Sequence, residues 1–223
     1  MNQDYSAIAQ RSPSALATSK VLRNTYMLLS LTLLFSGFTA AISMAMNMPP
    51  MTYLISVIGA MVIAMFVLPR FANSTAGIGI VFLVTGMLGF GLGPMLSMYA
   101  ALPNGGNIIM LSLGGTGTIF LGLSAYVLAT RKDFSFLGGF LMVGFLLVLI
   151  AAVANIFLAI PAMSLMISAV VIMIMSGFIL YDTSRIINGG ETNYVMATIG
   201  LYMTIFNIFI SLLHILGIMG GDD

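Results

Sequence analysis

Seven stretches of nearly unbroken apolar sequence dominate this chain, at about residues 24–46, 51–68, 77–99, 108–130, 136–160, 162–187 and 195–217. Each approaches the ~20 residues a helix needs to cross the hydrocarbon core of a bilayer. The polar interruptions between them are short and rich in turn residues: Asn47 to Pro50, Asn73 and Ser74, Pro103 to Gly106, Pro161, and Asn188-Gly189-Gly190. Pro69 shortens the second segment and Asp182 interrupts the sixth. The pattern predicts an all-α, polytopic membrane protein, a bundle of seven transmembrane helices. Residues 1–20 are polar, rich in Ser, Thr, Asn and Gln, and carry no apolar period, so they are expected to form a flexible tail.

Composition points the same way. The 223 residues are 60% hydrophobic and 6% charged, with mean hydropathy +1.13. Soluble domains carry about four times that share of charge. A net charge of +1 offers nothing to nucleic acid, so no nucleic-acid partner is expected and the bilayer is the first partner. No cysteine is present, which removes disulfides, thiolate metal sites and a cysteine nucleophile. Twenty Met and 24 Gly suit closely packed membrane helices. Without Trp, any aromatic belt falls to Tyr. Ser43-Met44-Ala45 loosely resembles a signal-peptide cleavage site. The apolar core before it exceeds the ~7–15 residues of a signal peptide, so this segment is expected to stay attached as the first membrane helix.

Where the positive charges lie predicts the orientation. Arg11, Lys20 and Arg23 precede the first segment, Arg70 follows the second, Arg131 and Lys132 the fourth, and Arg185 the sixth. The loops after the first, third and fifth segments contain neither Lys nor Arg. All seven cations therefore fall on one side, which the positive-inside rule makes cytoplasmic. The expected layout is a cytoplasmic tail over 1–20, a membrane domain over 21–219 with the N-terminus in, and a short external tail over 220–223.

Candidate chemistry concentrates between Phe178 and Tyr194, where Asp182, Arg185 and Glu191 bring charge to the margin of a membrane segment. Charge in that position is costly and marks a functional candidate. Asp182 and Arg185, three residues apart, share a helix face, so Asp182 is either an interfacial partner of Arg185 or a titrating, cation-binding group facing the interior. Glu191 is expected in a solvated loop. Thr204 and Asn207 lie deeper in the last segment, and His214 near its far end. In the third segment Gly86, Gly89, Gly91 and Gly93 precede Pro94, which reads as a tight packing face with a kink or as a broken helix lining a cavity. Gly114, Thr118 and Gly122 repeat the small-residue spacing in the fourth, where packing is the expectation.

Enzyme signatures are missing. The sequence contains no His-Glu-x-x-His pair and no Gly-x-Ser-x-Gly elbow. Tyr181-Asp182 resembles half of an intramembrane aspartyl protease signature, but that chemistry needs a second carboxylate, and the next segment offers Thr204. No lysine lies within a segment to hold retinal. The chain is read as a non-enzyme with no cofactor.

Several of these residues together resemble the transmembrane Bax inhibitor-one motif family. Gly89-Phe90-Gly91-Leu92-Gly93-Pro94 is similar to its helix-three signature, and Ser124-Ala125-Tyr126, Arg131-Lys132 and Leu137-Gly138-Gly139 to its helix four to five junction. Tyr181-Asp182-Thr183 resembles its helix-six motif, and Leu201-Tyr202 with Asn207-Ile208-Phe209 its helix seven. The similarity covers about residues 20–217 and keeps its order. It implies a seven-helix bundle with helix seven central and the N-terminus cytoplasmic. Family members are described as pH-sensitive calcium leak pathways controlled by paired aspartates in helices six and seven. On that pattern Asp182 and Asn207 would offer oxygen ligands to calcium as the permeant ion, with Arg185 and Glu191 as gating or pairing partners. The second aspartate position is occupied here by Thr204, which cannot share a proton with Asp182. Residues 20–26 and 189–194 most resemble bacterial inner-membrane members that modulate the membrane protease FtsH and are also its substrates. The expectation is therefore a protease modulator, with a calcium leak as the alternative.

Overall fold

A computed structural model describes residues 15–220. Among them are seven long helices: α1 (Ala15–Ala45), α2 (Met51–Phe71), α3 (Thr75–Ala100), α4 (Gly105–Thr130), α5 (Leu137–Leu158), α6 (Pro161–Ile187) and α7 (Tyr194–Met219). All are long and apolar enough to cross a membrane, and the chain is a multi-pass membrane protein. The expected tail over residues 1–20 lies, for residues 1–14, outside the described residues, as does the external tail beyond residue 220. Residues 15–20 already belong to α1, so that helix starts ahead of its apolar stretch. Backbone hydrogen bonding continues there without needing apolar side chains.

Both prolines that threatened a helix are absorbed. In α2 the turn before Pro69 widens to a π-helix, Ile63–Val67, and the Leu68 amide reaches back to the Ile63 carbonyl. Proline leaves a carbonyl one turn earlier without its amide partner, and the widened turn accommodates this. The Arg70 guanidinium also donates to the Phe66 carbonyl, so α2 continues to Phe71 rather than stopping at residue 68. Pro94 sits inside an uninterrupted α3, which removes the broken-helix reading.

Helix α7 is central, packing against α1, α3, α4 and α6. Its Leu201, Tyr202, Ile208 and Leu213 are almost wholly buried. Helix α3 is the other interior helix, against α1 and α2. Helix α5 lies outermost, chiefly on α6, with Leu141 its one buried residue. Its Phe157, 84% exposed, faces what would be lipid.

The ends carrying Lys20, Arg23, Arg70, Arg131, Lys132 and Arg185 gather on one side of the bundle through polar bonds between loops. The Asn193 side chain donates to the Ala72 carbonyl (3.0 Å) and to Asn73 Oδ1 (2.8 Å), joining the α6–α7 and α2–α3 loops. The Phe134 amide donates to Ser184 Oγ (2.8 Å), which donates to Asp133 (3.3 Å), joining the α4–α5 loop to α6. Thr198 of α7 donates to the Thr25 carbonyl of α1 at 3.3 Å.

Candidate functional site

The charged cluster is built where α6 stops. Gly189 takes a positive φ of 74°, a conformation glycine adopts without steric cost, and the Gly190 and Glu191 amides close back on the Arg185 carbonyl. That reversal carries Glu191 beneath Arg185. Arg185 Nη2 lies 3.7 Å from Glu191 Oε2 and donates to the Gly190 carbonyl at 3.1 Å. The guanidinium also stands 5.5 Å from the centre of the Tyr181 ring, within cation–π range. Arg185 is thus paired with Glu191 and not with Asp182, because the turned loop presents its carboxylate and carbonyl together. Glu191 is correspondingly folded in rather than free in solvent, and its other oxygen accepts from the Asn193 amide at 2.9 Å.

Asp182 is left without a hydrogen bond among the described residues. With Arg185, Glu191 and Gly200 it lines a cavity of about 190 Å³ between α6 and α7. Gly200 borders it, and a Cβ there would stand 3.6 Å from Asp182 Oδ2, an ordinary contact distance. The next two residues of α6, the fully buried Thr183 and Ser184, face protein, Thr183 lying 3.5 Å from Ser124 of α4.

Thr204 and Asn207 do not join this cluster. Thr204 Oγ1 donates to the Gly200 carbonyl (3.1 Å) and Asn207 Nδ2 to the Met203 carbonyl (2.8 Å), each satisfied one turn back in its own helix. Neither lines the Asp182 cavity. Among the described residues no group of three or more His, Cys, Asp or Glu could hold a metal ion. Calcium takes about six to eight oxygens. Asp182, Glu191 and nearby carbonyls offer hard oxygens to a passing cation but no dedicated calcium cage.

The helix-three signature lies at the α1–α2–α3 junction. A Cβ on Gly89 would meet Ser36 and Thr39 of α1, one on Gly93 would meet Ser43, and one on Gly91 would stand 2.8 Å from Ser56 of α2. Beside Gly89 sits a polar knot that joins three helices. Tyr202 of α7, fully buried, donates to the Thr85 carbonyl of α3 (3.3 Å), and Ser36 of α1 donates to the Tyr202 hydroxyl (2.5 Å). Ser36 and Thr85 escaped sequence reasoning. Their signal was faint: in α1, Thr25, Thr32, Ser36 and Ser43 recur at helical spacing and all are buried.

The small residues of α4 behave differently. Gly114, Thr118 and Gly122 face outward, and a Cβ on either glycine would meet nothing within 4 Å. The inward face of α4 carries Ser112, Thr116, Phe120, Ser124 and Val127 instead, so the expected packing of that stripe within the bundle does not occur. His214, near the opposite end of α7, shares a hydrogen bond of 2.8 Å with Ser168 of α6.

Outside the membrane segments, Asp133 accepts from the Ser135 amide (2.8 Å) and from Ser184. The Ser135 hydrogen bonds, with Ser184 behind them, hold its carboxyl below the usual carboxylate range.

Comparison with known proteins agrees with this architecture. The model of the Bax1-I family, "Inhibitor of apoptosis-promoting Bax1", matches residues 18–221. The chain is 53% identical over 209 residues, 94% of both chains, to the Escherichia coli K12 protein described as modulator of FtsH protease YccA. In a second E. coli strain a relative equally similar is described as inner membrane protein YccA. An uncharacterised membrane protein of Vibrio cholerae is 50% identical over 208 residues, 93% of each chain. With the glycine signature, the Tyr181-Asp182-Thr183 motif and a central α7 all in place, this chain belongs to the Bax1-I family, the Bax inhibitor-one proteins.

Proposed function

We propose that this protein resides in a bacterial inner membrane with its N-terminus cytoplasmic and modulates an FtsH-type membrane protease as part of membrane-protein quality control. The observation that carries this reading is the 53% identity, across 94% of both chains, to a protein described as a modulator of that protease. The residues fit a regulatory role without catalysis: the bundle holds one unpaired carboxylate and no nucleophile–base–acid constellation among the described residues. Residues 1–18 are the polar sequence leading into α1 and its first turn, on the basic side where an ATP-driven protease would grip. The test is reconstitution with an FtsH-type protease and a membrane substrate. Full-length protein is expected to change substrate turnover and to be degraded itself. Deletion of residues 1–18 is expected to abolish its own degradation while leaving insertion intact. Unchanged substrate turnover on adding the protein counts against the modulator role, and unchanged degradation of the truncated protein counts against the grip.

A second reading, a calcium leak, is favoured by one observation: Asp182 has no hydrogen-bond partner among the described residues and opens onto a cavity shared with Glu191. Without a second aspartate at Thr204, its pH gating would differ from that of a paired-carboxylate switch. Calcium flux into liposomes holding the pure protein, measured on both sides of neutral pH, is expected to change with Asp182→Asn. Identical flux in the variant would make Asp182 structural.

A further inference from the structure

An apolar cavity in the bundle is lined by none of the residues of the Asp182 cluster. It measures about 400 Å³, within the ~300–1,000 Å³ of small-molecule pockets. It opens between α1 and α4 and is floored by α3 and α7. Tyr202, Ile205 and Leu92 at its floor are buried, whereas Gly37, Ala41 and Leu113 at its mouth are exposed. Two glycines border open space at the mouth: a Cβ on Gly37 or Gly117 would meet nothing within 4 Å.

Three hydroxyls reach the lining, and each is engaged within the protein. Ser36 and Tyr202 bond one another, Tyr202 also bonds the Thr85 carbonyl, and Thr116 donates to the Ser112 carbonyl at 2.7 Å. Their protons are thus committed, and the rest of the lining is apolar, so the cavity favours a hydrocarbon occupant. The lining spans residues 33–44 of α1 and 109–120 of α4. These are the halves of both helices farthest from the basic end, at hydrocarbon depth. The mouth runs without a polar rim into the lipid-facing belt, flanked by Leu34 (73% exposed) and Phe38 on α1 and by Leu121 on α4.

We propose that this crevice holds one acyl chain of a bilayer lipid, drawn from the leaflet opposite the basic end. Bound there, the chain fills a space that would otherwise leave the α1–α3–α4–α7 junction loosely packed. It acts as a wedge whose presence sets the spacing of α1 from α4.

The experiment reconstitutes the whole protein in phosphatidylcholine vesicles containing a phospholipid with a photoreactive diazirine on its acyl chain, and maps the adducts. Lipid retained after extraction into detergent is counted in parallel by native mass spectrometry. Adducts are expected on crevice residues such as Leu113 and Phe120 well above those on Phe140 and Phe157 of the open α5 face. Retained lipid is expected to fall severalfold in Gly37→Leu/Gly117→Leu, which fills the mouth, and to be unchanged in Gly139→Leu, which faces open space on α5. Labelling of the crevice no stronger than that of α5 overturns the proposal without any variant. So does equal lipid retention in a folded filled variant, or cross-linking of the crevice to a second copy of the chain.

Discussion

At the scale of single residues, glycines with the same spacing serve opposite ends. Gly93 lets α3 approach Ser43 and Met44 of α1, and that Ser43 hydroxyl is already buried without a hydrogen-bond partner among the described residues. Gly114 of α4 faces open space. Gly93→Ala is therefore expected to destabilise the bundle by about 1–3 kcal/mol through overpacking. Gly114→Ala should be neutral, or stabilising by up to about 1 kcal/mol through helix propensity. Thermal unfolding in detergent separates the two, and equal effects would contradict the packing described here. Spacing in the sequence shows that a helix face is small. It does not show which way the face points.

At the scale of elements, helix ends decide the candidate site. The start of α7 rests on Asn193, whose side-chain oxygen accepts from the Val195 and Met196 amides while its nitrogen reaches Ala72 and Asn73. One side chain thus caps a helix and holds the α2–α3 loop. Asn193→Ala is expected to cost about 1–2 kcal/mol from the lost cap. It should also speed amide exchange in residues 72–75, which a cap confined to α7 would leave unchanged. The end of α6 is governed by the reversal at Gly189, which brings Glu191 to Arg185 and thereby leaves Asp182 unpaired. The sequence placed Asp182 and Arg185 on one face, and that helical argument was sound. The competing partner came from beyond the helix end, where helical periodicity says nothing.

At the scale of the whole molecule, polar bonds between loops gather the cationic ends of α1, α2, α4 and α6 on one side. The proposed topology puts that side in the cytoplasm, in line with the positive-inside rule. The chain contains no cysteine, so single replacements report cleanly. A cysteine at exposed Asn104, in the α3–α4 loop, is expected to react with a membrane-impermeant maleimide added outside intact cells. One at exposed Asn188, after α6, is expected to react only after permeabilisation. The reverse pattern would invert the topology and remove the cytoplasmic grip from the proposed function.

The number of membrane helices, their limits to within a few residues at most ends, and the segregation of charge were legible in the sequence. They follow from a local cause: in hydrocarbon, backbone polar groups must be satisfied within each segment, so apolar length alone marks a spanning helix. The resemblance in the motifs added a central helix seven, which the packing of Tyr202 and its neighbours makes concrete. Only the tertiary structure decided which small residues meet a neighbour, that Ser36, Thr85 and Tyr202 form one knot, and that Thr204 is satisfied apart from Asp182. It also opened the crevice between α1 and α4. These depend on helix rotation and crossing, set by side-chain contacts between segments far apart in the chain. Uniform hydrophobicity around each helix erases the polar face that, in a soluble protein, would have announced its inside and outside.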